Sequence, residues 1–398
     1  MTTTTVDVKA LESQRVLQNY KRFPVVFTRG EGVRLFDDAG RGYLDFLSGI
    51  GVNSLGHAHP ALTRAVADQA KTLVHTSNLY FHPLQAELAA RLTALSGLDR
   101  AFFCNSGTEA IEACLKFARR FWFTAGRPRT KFIAFSHGFH GRTMGALSVT
   151  WDEHYRTPFG PLVPSVTFMA TDDPAALAAA VDDDTAAIVV EPIRGEGGVR
   201  PIPCALADAI REACARTGAL LIADEVQSGS WRTGTFLHAP SLGLKPDLVA
   251  LAKALGGGVP VGAVLMTERV AAAVAPGDHG TTYGGNLLAC RAALTFLDVA
   301  ESLRDSMRAA SARLFDRLHA LAAARPAIVT DIRGTGLIAG LEVTVDALAV
   351  VNAALERGLV INRTSGTVLR LLPPYIITPA DVDEAADILD QAIGAVAG

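Results

Sequence analysis

The chain has 398 residues, with 40 acidic side chains against 37 lysines and arginines, so its formal charge is only −3. A nearly balanced charge does not favour a polyanionic partner such as a nucleic acid. Hydrophobic residues make up 49% of the sequence and charged residues 19%, a composition typical of folded globular proteins and not of disordered ones.

The five cysteines show no CxxC spacing, so neither a zinc site nor a redox pair is indicated. We expect them to be small buried hydrophobic residues in a reducing compartment. The segment 1–15 lacks the basic stretch and apolar core of a secretory signal, and no run of about 18 uninterrupted apolar residues occurs. These features predict a cytoplasmic protein that is not inserted in a membrane.

Residues 20–60 are rich in glycine and turn signals around short alternating runs such as 32–38, which predicts a small β element. Fully apolar strands that alternate with helical patterns are typical of a mostly parallel sheet covered on both faces. The segment 205–214 has the periodicity of a crossover helix. The predicted class is therefore α/β. The apolar runs that carry this prediction begin near Ala101, Lys131, Ala186, Ala219 and Asp247.

The last third of the chain has a different pattern of predicted helices and strands. A long alanine-rich helical pattern runs from about residue 288 to 325, followed by a glycine-punctuated stretch. A helix at 346–357, a strand near 368–371 and a final helix from Pro379 complete the pattern. We predict a large central domain of residues 61–287, and a smaller α+β part made of residues 1–60 and 288–398.

Several common chemistries are excluded. The sequence contains no GxxxxGK[ST] P-loop, GxSxG elbow or HExxH motif, and the glycines of 256–262 do not have the GxGxxG spacing of a dinucleotide site. His57 and His59 alternate as a metal pair would, but no acidic or thiol ligand lies close in sequence. We therefore favour a turn or pocket-lining role for both and predict no metal site.

Polar residues that directly follow apolar strands are the first candidates for a ligand site, because ligands of open α/β sheets bind beyond the carboxyl ends of the strands. The strand 220–223 leads into Asp224 and Gln227, and the strand 247–252 leads into Lys253. The strand 101–104 leads into Ser106-Gly107-Thr108 and then a helical pattern. Free amides at such a helix start favour a phosphate, although an ordinary capping box from Ser106 to Glu109 has the same sequence.

Lys253 precedes a glycine-rich loop, where partial desolvation would lower the pKa of its amine and make it available for a Schiff base. A lysine in an exposed turn is the plainer alternative, as is a simple turn acid for Asp224. Together, a phosphate nest, a reactive lysine and a carboxylate one β-α-β step upstream are the parts that pyridoxal phosphate (PLP) needs, since the acid keeps the pyridine nitrogen protonated. The combination predicts a PLP enzyme.

Segments along the whole chain, in the same order, resemble motifs of the class III (ω-amino acid) aminotransferases of fold type I. These segments are FCNSGTEA, FHGRT, VEPIRGEGG, LLIADEVQSG, LAKALGGGVPVGA and HGTTYGGN. The resemblance implies that Lys253 bonds to the cofactor and shuttles a proton, and that Asp224 pairs with its pyridinium nitrogen. It gives the remaining cofactor-binding roles to Gln227 at the ring hydroxyl, Phe139 and Val226 on the ring faces, and Ser106, Gly107 and Thr108 at the phosphate.

The resemblance also implies that Thr282 reaches the phosphate of the neighbouring subunit, and hence an obligate homodimer. It gives Arg370 to the α-carboxylate of glutamate or 2-oxoglutarate, and Arg142 to that of an acylated ornithine, because a guanidinium binds a carboxylate bidentately. Glu196 would be a gate that pairs with Arg370 and releases it. Without the resemblance, surface salt bridges would be the simpler interpretation of both arginines.

The implied reaction moves the δ-amino group of N2-acetylornithine to 2-oxoglutarate through a ping-pong exchange on the cofactor, giving N-acetylglutamate 5-semialdehyde and glutamate for arginine synthesis. Ile50, where ornithine-specific members carry tyrosine, agrees with an acylated donor. Trp231 stands where the family usually has glycine, and would either narrow the substrate channel or fill a gap at the dimer interface. Other ω-transaminase activities, on 4-aminobutyrate, succinylornithine, a lysine derivative or an amine, stay open, as does a non-catalytic binding protein of the same fold.

Overall fold

The computed structural model describes residues 7–398. The first six residues of the predicted segment 1–60 lie outside the described residues. The strands are β1 Phe27–Glu31, β2 Arg34–Asp37, β3 Gly42–Asp45, β4 Arg100–Cys104, β5 Lys131–Phe135, β6 Val166–Met169, β7 Thr185–Val190, β8 Ile193–Arg194, β9 Arg200–Pro201, β10 Leu220–Asp224, β11 Leu248–Leu251, β12 Gly262–Met266, β13 Val329–Thr335, β14 Ile338–Val343, β15 Leu359–Val360, β16 Asn362–Thr364 and β17 Val368–Leu371.

Fourteen α-helices and three short 3-10 turns lie between residues 7 and 398. The helices are α1 Val8–Arg15, α2 Ser48–Gly51, α3 Pro60–Thr72, α4 Pro83–Ser96, α5 Gly107–Thr124, α6 Met144–Ser148, α7 Glu153–Arg156, α8 Pro174–Ala180, α9 Cys204–Thr217, α10 Glu268–Ala271, α11 Leu287–Ser302, α12 Arg304–Ala324, α13 Ala347–Glu356 and α14 Pro379–Ala397. The 3-10 turns are Thr157–Phe159, Ala239–Leu242 and Lys253–Gly256. Within the described residues, no helix is long and apolar enough to cross a membrane.

A seven-stranded sheet in the order β4-β12-β11-β10-β7-β5-β6 forms the centre of the molecule, and it confirms the predicted α/β class with a mostly parallel, mixed sheet. All five apolar runs singled out in the sequence are strands of this sheet. The strand β12 is antiparallel to both β11 and β4. The segment 252–261 between β11 and β12 is too short for a crossover helix, so the chain must turn back.

Within residues 7–398, two four-stranded sheets and the two-stranded sheet β8-β9 lie outside this centre. The hairpin strands β1, β2 and β3 are joined by β15, which pairs parallel to β3, so the amino-terminal segment and the last third of the chain share one sheet. The strands β13, β14, β17 and β16 form an antiparallel sheet, which presents the strand that carries Arg370. The glycine-punctuated stretch of the sequence is therefore a β-hairpin.

The predicted helix over 288–325 is wrong in one respect, because the chain forms two helices, α11 and α12, that meet at Leu303. The amide of Leu303 is shared between the carbonyls of Val299 and Ala300 at 3.2 Å each, as is usual where a helix ends. Asp305 then stands in the first turn of α12, where a carboxylate stabilises a helix start. Apolar periodicity continues across this junction and conceals it.

Candidate active site

A cavity of about 460 Å³ opens where β4, β10 and β11 end. Ten of the residues singled out in the sequence line it, while Arg370 contacts its wall and Thr282 lies outside it. The ten are Ser106, Gly107, Thr108, Phe139, Arg142, Glu196, Asp224, Val226, Gln227 and Lys253. The strand-end rule thus collects side chains from distant parts of the chain into one pocket.

The start of α5 forms one wall of the cavity. Ser106 caps the helix by accepting from the Glu109 amide at 3.3 Å, and the Glu109 carboxylate accepts from the amide of Asn105, the residue before the cap, at 2.6 Å. This capping leaves the amides of Gly107 and Thr108 without a hydrogen-bond partner among residues 7–398. A helix cap and a phosphate site are therefore compatible interpretations of this segment. A capped helix still offers free amides and a positive dipole end to an anion.

Gly107 also sets the width of this wall. A Cβ atom added at Gly107 would lie 2.8 Å from Cγ1 of Val226, which lines the cavity beside it. Any larger residue would displace the Val226 side chain or the start of α5. The close approach of the helix to the strand end therefore requires glycine at this position.

Asp224 is the last residue of β10 and is buried. Its Oδ1 accepts from the Val226 amide at 3.0 Å, and its Oδ2 lies 2.8 Å from Nδ1 of the buried His140. Burial alone would lower the pKa of His140, but the hydrogen bond and charge of Asp224 outweigh it and the pKa is raised. The hydrogen bond from His140 fixes the Asp224 carboxylate at the cavity wall.

Lys253 begins the turn after β11 and has a positive φ of 39°. Its pKa is lowered, chiefly because burial penalises the ammonium form; Arg370 acts in the same direction, while Glu196 and Asp224 oppose it. A lysine with a lowered pKa supplies more neutral amine at neutral pH, which is the nucleophilic form. The alternative of a lysine in an exposed turn is wrong, since the residue lines the cavity.

Arg370 is fully buried, so the interpretation as a surface salt bridge is wrong for this residue. Its Nη1 donates to Oε1 of Glu196 at 2.6 Å and to Oε1 of Gln227 at 3.3 Å, and its Nε donates to Asn362 at 3.2 Å. Burial would raise the pKa of Glu196, but the charge of Arg370 outweighs it and the pKa is lowered. The pair is therefore ionised and closed in this structure.

Glu191 is a cavity residue that the sequence reasoning missed. It directly follows β7, so the same strand-end rule could have found it. Its carboxylate accepts from the Phe139 amide at 2.8 Å and from the Gly195 amide at 3.2 Å, and burial raises its pKa to about 7. His140 was missed as well, although it stands inside the FHGRT segment. Both residues support side chains that face the cavity.

Four residues singled out in the sequence lie at the edge of the cavity or away from it. Arg142 is exposed at the rim. Thr282 is exposed outside the cavity, and Ile50 does not line it. Trp231 is buried against Phe236 and Phe296, with ring centroids 5.1 and 6.3 Å away, so it does not narrow the channel within the chain.

Nε2 of His57 donates to Oδ2 of the buried Asp45 at 2.8 Å. No cluster of three metal-ligating side chains occurs among the residues that the structure describes. The sequence suggested a turn or pocket-lining role for His57, and the structure gives it a hydrogen-bond partner close to the amino-terminal sheet.

Glu225 follows Asp224 and is fully buried. Burial raises its pKa from 4.5 to about 7, more than the hydrogen bonds from Ser228, Ala239 and His238 lower it. The folded state therefore binds this proton more tightly than the unfolded chain, and the free energy of unfolding should fall as pH rises from about 4.5 to about 7. In Glu225→Gln, which keeps an acceptor oxygen, we expect this fall to shrink by about 3 kcal/mol.

Urea unfolding of both proteins at pH 5 and pH 8 checks this expectation. The variant should gain stability relative to the parent at pH 8 and lose that advantage at pH 5. An equal difference at both pH values would contradict the assignment of the raised pKa to Glu225.

The fold and the cavity together define a class of protein: an α/β enzyme that presents a lysine, a buried carboxylate and a helix start to one ligand. The chain belongs to the class III aminotransferase family, since the family model described as "Aminotransferase class-III" matches residues 16–393. It is similar to the acetylornithine aminotransferase of Aquifex aeolicus, with 45% identity over 379 residues, covering 95% of this chain and 99% of that protein.

Solved structures of aminotransferases also resemble this chain, in agreement with the family assignment. The ornithine aminotransferase from Toxoplasma gondii ME49 superposes with a TM-score of 0.93 at 34% identity, covering 98% of this chain and 94% of that one. A PLP-bound amine transaminase from an uncultivated Pseudomonas species gives a TM-score of 0.87 at 30% identity, covering 96% of this chain and 97% of that one.

Proposed function

We propose that this protein is an acetylornithine aminotransferase, which uses PLP to move the δ-amino group of N2-acetylornithine to 2-oxoglutarate. The products are N-acetylglutamate 5-semialdehyde and glutamate, as required for arginine synthesis. The observation that carries the proposal is the shared cavity of Lys253, Asp224 and the start of α5, with the Arg370–Glu196 pair in its wall. The named relative at 45% identity favours this donor over free ornithine.

The residues of the cavity fit PLP. The free amides of Gly107 and Thr108 suit a phosphate, with the hydroxyl of Ser106 at the same helix end. Phe139 and Val226 would cover the two faces of the ring, and Gln227 would bond its hydroxyl. When bound there, PLP acts as an electron sink and carries the amino group from donor to acceptor.

In this arrangement Asp224, held in place by His140, would keep a proton at the ring nitrogen, because a fixed negative charge favours the pyridinium form. Lys253 would hold the cofactor and would take and return the proton at the reacting carbon. Its lowered pKa leaves more of the amine neutral and able to accept that proton. The apolar residues Val259 and Val261 in the cavity wall help to exclude water.

The Arg370–Glu196 pair allows one cavity to accept two substrates. With the pair closed, as here, the charge of Arg370 is neutralised and the ω-amino end of a donor, which carries no carboxylate, can approach Lys253. When Glu196 moves away, the buried Arg370 is free to bind the α-carboxylate of 2-oxoglutarate or glutamate bidentately. Arg142 at the rim would bind the α-carboxylate of the acylated donor.

The proposal includes a homodimer in which Thr282 reaches the phosphate site of the partner subunit. In support, Thr282 is exposed and outside the cavity of its own chain, and a nearby apolar segment is uncovered. Leu79, Tyr80 and Phe81 are among the most exposed large apolar side chains, which is typical of a surface covered by another subunit. We place the enzyme in the cytoplasm, where its five free thiols would stay reduced.

The absorbance of the PLP-loaded protein tests the function directly. We expect N2-acetylornithine, added without a keto acid, to abolish the yellow band, and 4-aminobutyrate to leave it unchanged. Bleaching by 4-aminobutyrate alone would assign the protein to another ω-transaminase activity. A protein that takes up no PLP at all would contradict the enzymatic proposal.

A further inference from the structure

Arg142 is held at the rim of the cavity by an aromatic ring and not by a carboxylate. Its guanidinium carbon lies 3.6 Å from the ring centroid of Tyr155 and 5.5 Å from that of Phe139. Across the described part of the chain, no carboxylate lies within ion-pair distance of Arg142. The backbone amide of Arg142 donates to Oγ1 of Thr108 at 3.2 Å, so the main chain is fixed at the phosphate wall.

The Tyr155 ring packs against a second aromatic ring, and hydrogen bonds hold the helix that carries it. It meets the Phe139 ring edge to face, with centroids 6.4 Å apart and planes at 85°. The next residue, Arg156, donates twice to the carbonyl of Trp151, at 3.2 and 3.0 Å, and so holds the short helix α7 against the chain before it. Tyr155 is half-buried in this arrangement.

Stacking and ion pairing have different consequences for an arginine. A ring contacts the face of the guanidinium and leaves the N–H groups at its edge free, whereas a carboxylate partner consumes them. Arg370 shows the second case, since Glu196 and Gln227 take its Nη1. Arg142 shows the first, so its donors stay available to an incoming carboxylate.

From this geometry we propose that Tyr155 is a positioning residue that sets the preference for donors with an α-carboxylate, by holding Arg142 oriented with its N–H edge free. The inference rests on the proposed function and names the residue that enforces its donor specificity. Tyr155 acts through Arg142 and contacts neither reacting group.

The test compares Tyr155→Leu, which removes the ring, with Tyr155→Phe, which keeps the stacking face. Phe159→Leu is the matched control, because Phe159 lies exposed on the next turn and does not stack on Arg142. The donors are N2-acetylornithine and N-acetylputrescine, which is the same molecule without the α-carboxylate. Binding of N-acetylnorvaline, which has the carboxylate but no amine, is measured separately by calorimetry.

We expect Tyr155→Leu to raise the KM for N2-acetylornithine and the Kd for N-acetylnorvaline about fivefold to tenfold, with kcat nearly unchanged. The kcat/KM for N-acetylputrescine should not change, and Tyr155→Phe and Phe159→Leu should stay within about twofold of the parent. A Tyr155→Leu protein that loses both donors equally, or neither, would overturn the inference, as would an equal loss in Tyr155→Phe.

The activity of the parent protein with N2-acetylornithine tests the proposed function independently of these variants. If the parent does not use N2-acetylornithine, the proposed function fails. If the parent uses it and Tyr155→Leu keeps the same preference between the two donors, only the role of Tyr155 fails. Thermal unfolding of each variant shows whether a loss comes from misfolding, which would affect both donors.

Discussion

Lys253→Ala is expected to lower the rate of amino transfer by about 10⁴-fold or more, while the protein remains folded. The variant lacks both the amine that holds the cofactor and the base that moves the proton at the reacting carbon. No other lysine lines the cavity within residues 7–398, so none can replace it. Initial rates with N2-acetylornithine and 2-oxoglutarate measure the loss.

A second measurement separates chemistry from binding. After borohydride reduction of the PLP-loaded parent, the cofactor should be recovered on the peptide that contains Lys253, and the variant should release all of it on unfolding. Lys245→Ala is the matched control, because Lys245 is an exposed lysine outside the cavity. Its rate and labelling should equal those of the parent. Normal turnover in Lys253→Ala would exclude the proposed mechanism.

Three of the cavity residues singled out in the sequence have positions that follow from strand order alone. Asp224, Lys253 and Ser106 each follow an apolar strand, and strands of one sheet bring their ends to a common edge. Glu191 obeys the same rule and was overlooked. A local pattern in the sequence is therefore sufficient where regular structure carries a residue to the site.

Other parts of the site depend on contacts that no local pattern contains. Arg370 and Glu196 are 174 positions apart and meet only because β17 pairs within a separate sheet. The resemblance to the family suggested this pair, while periodicity and spacing could not. The Tyr155–Arg142 stack lies in an irregular stretch of chain, where neither helical nor strand periodicity indicates which side chains touch.

The packing of Trp231 could not be predicted from the local sequence either. The sequence raised two roles for this ring, in the substrate channel or at the dimer interface, and the structure places it instead in the core of its own chain beside Phe236 and Phe296. Its φ of 66° lies in the left-handed region, where glycine is favoured, which explains why a glycine at this position would be unstrained. Only the three-dimensional contacts of the ring show what offsets that strain.

Arg232, the next residue, is fully buried and joins three distant segments of the chain. Its Nη1 donates to the carbonyls of Leu337 and Pro373 at 2.9 and 2.5 Å, and its Nη2 donates to the hydroxyl of Ser54 at 2.8 Å. Its guanidinium carbon lies 4.6 Å from the ring centroid of Tyr375. Burial lowers the pKa of Arg232, but arginine titrates so far above neutrality that it stays charged.

Arg232→Ala is expected to lower the free energy of unfolding by about 3–5 kcal/mol, because it removes the donors and leaves three buried acceptors without partners. Arg232→Lys keeps the charge but cannot reach all three acceptors, so we expect it to lose at least about 1.5 kcal/mol. Arg308→Ala is the control: Arg308 is exposed and, among residues 7–398, forms an ion pair with the exposed Asp305 alone, so its loss should stay within about 0.5 kcal/mol.

Urea unfolding of the parent and the variants measures these differences in the free energy of unfolding. The KM for 2-oxoglutarate then shows whether the same substitutions weaken substrate binding. Pro373 lies two residues after the end of β17, the strand that carries Arg370, so loosening this segment should weaken the carboxylate clamp before it affects Lys253. We therefore expect the KM for 2-oxoglutarate to rise in Arg232→Ala while Lys253 still binds the cofactor. Unchanged stability in Arg232→Ala would mean that water replaces the guanidinium, and that the three segments are held by apolar packing alone.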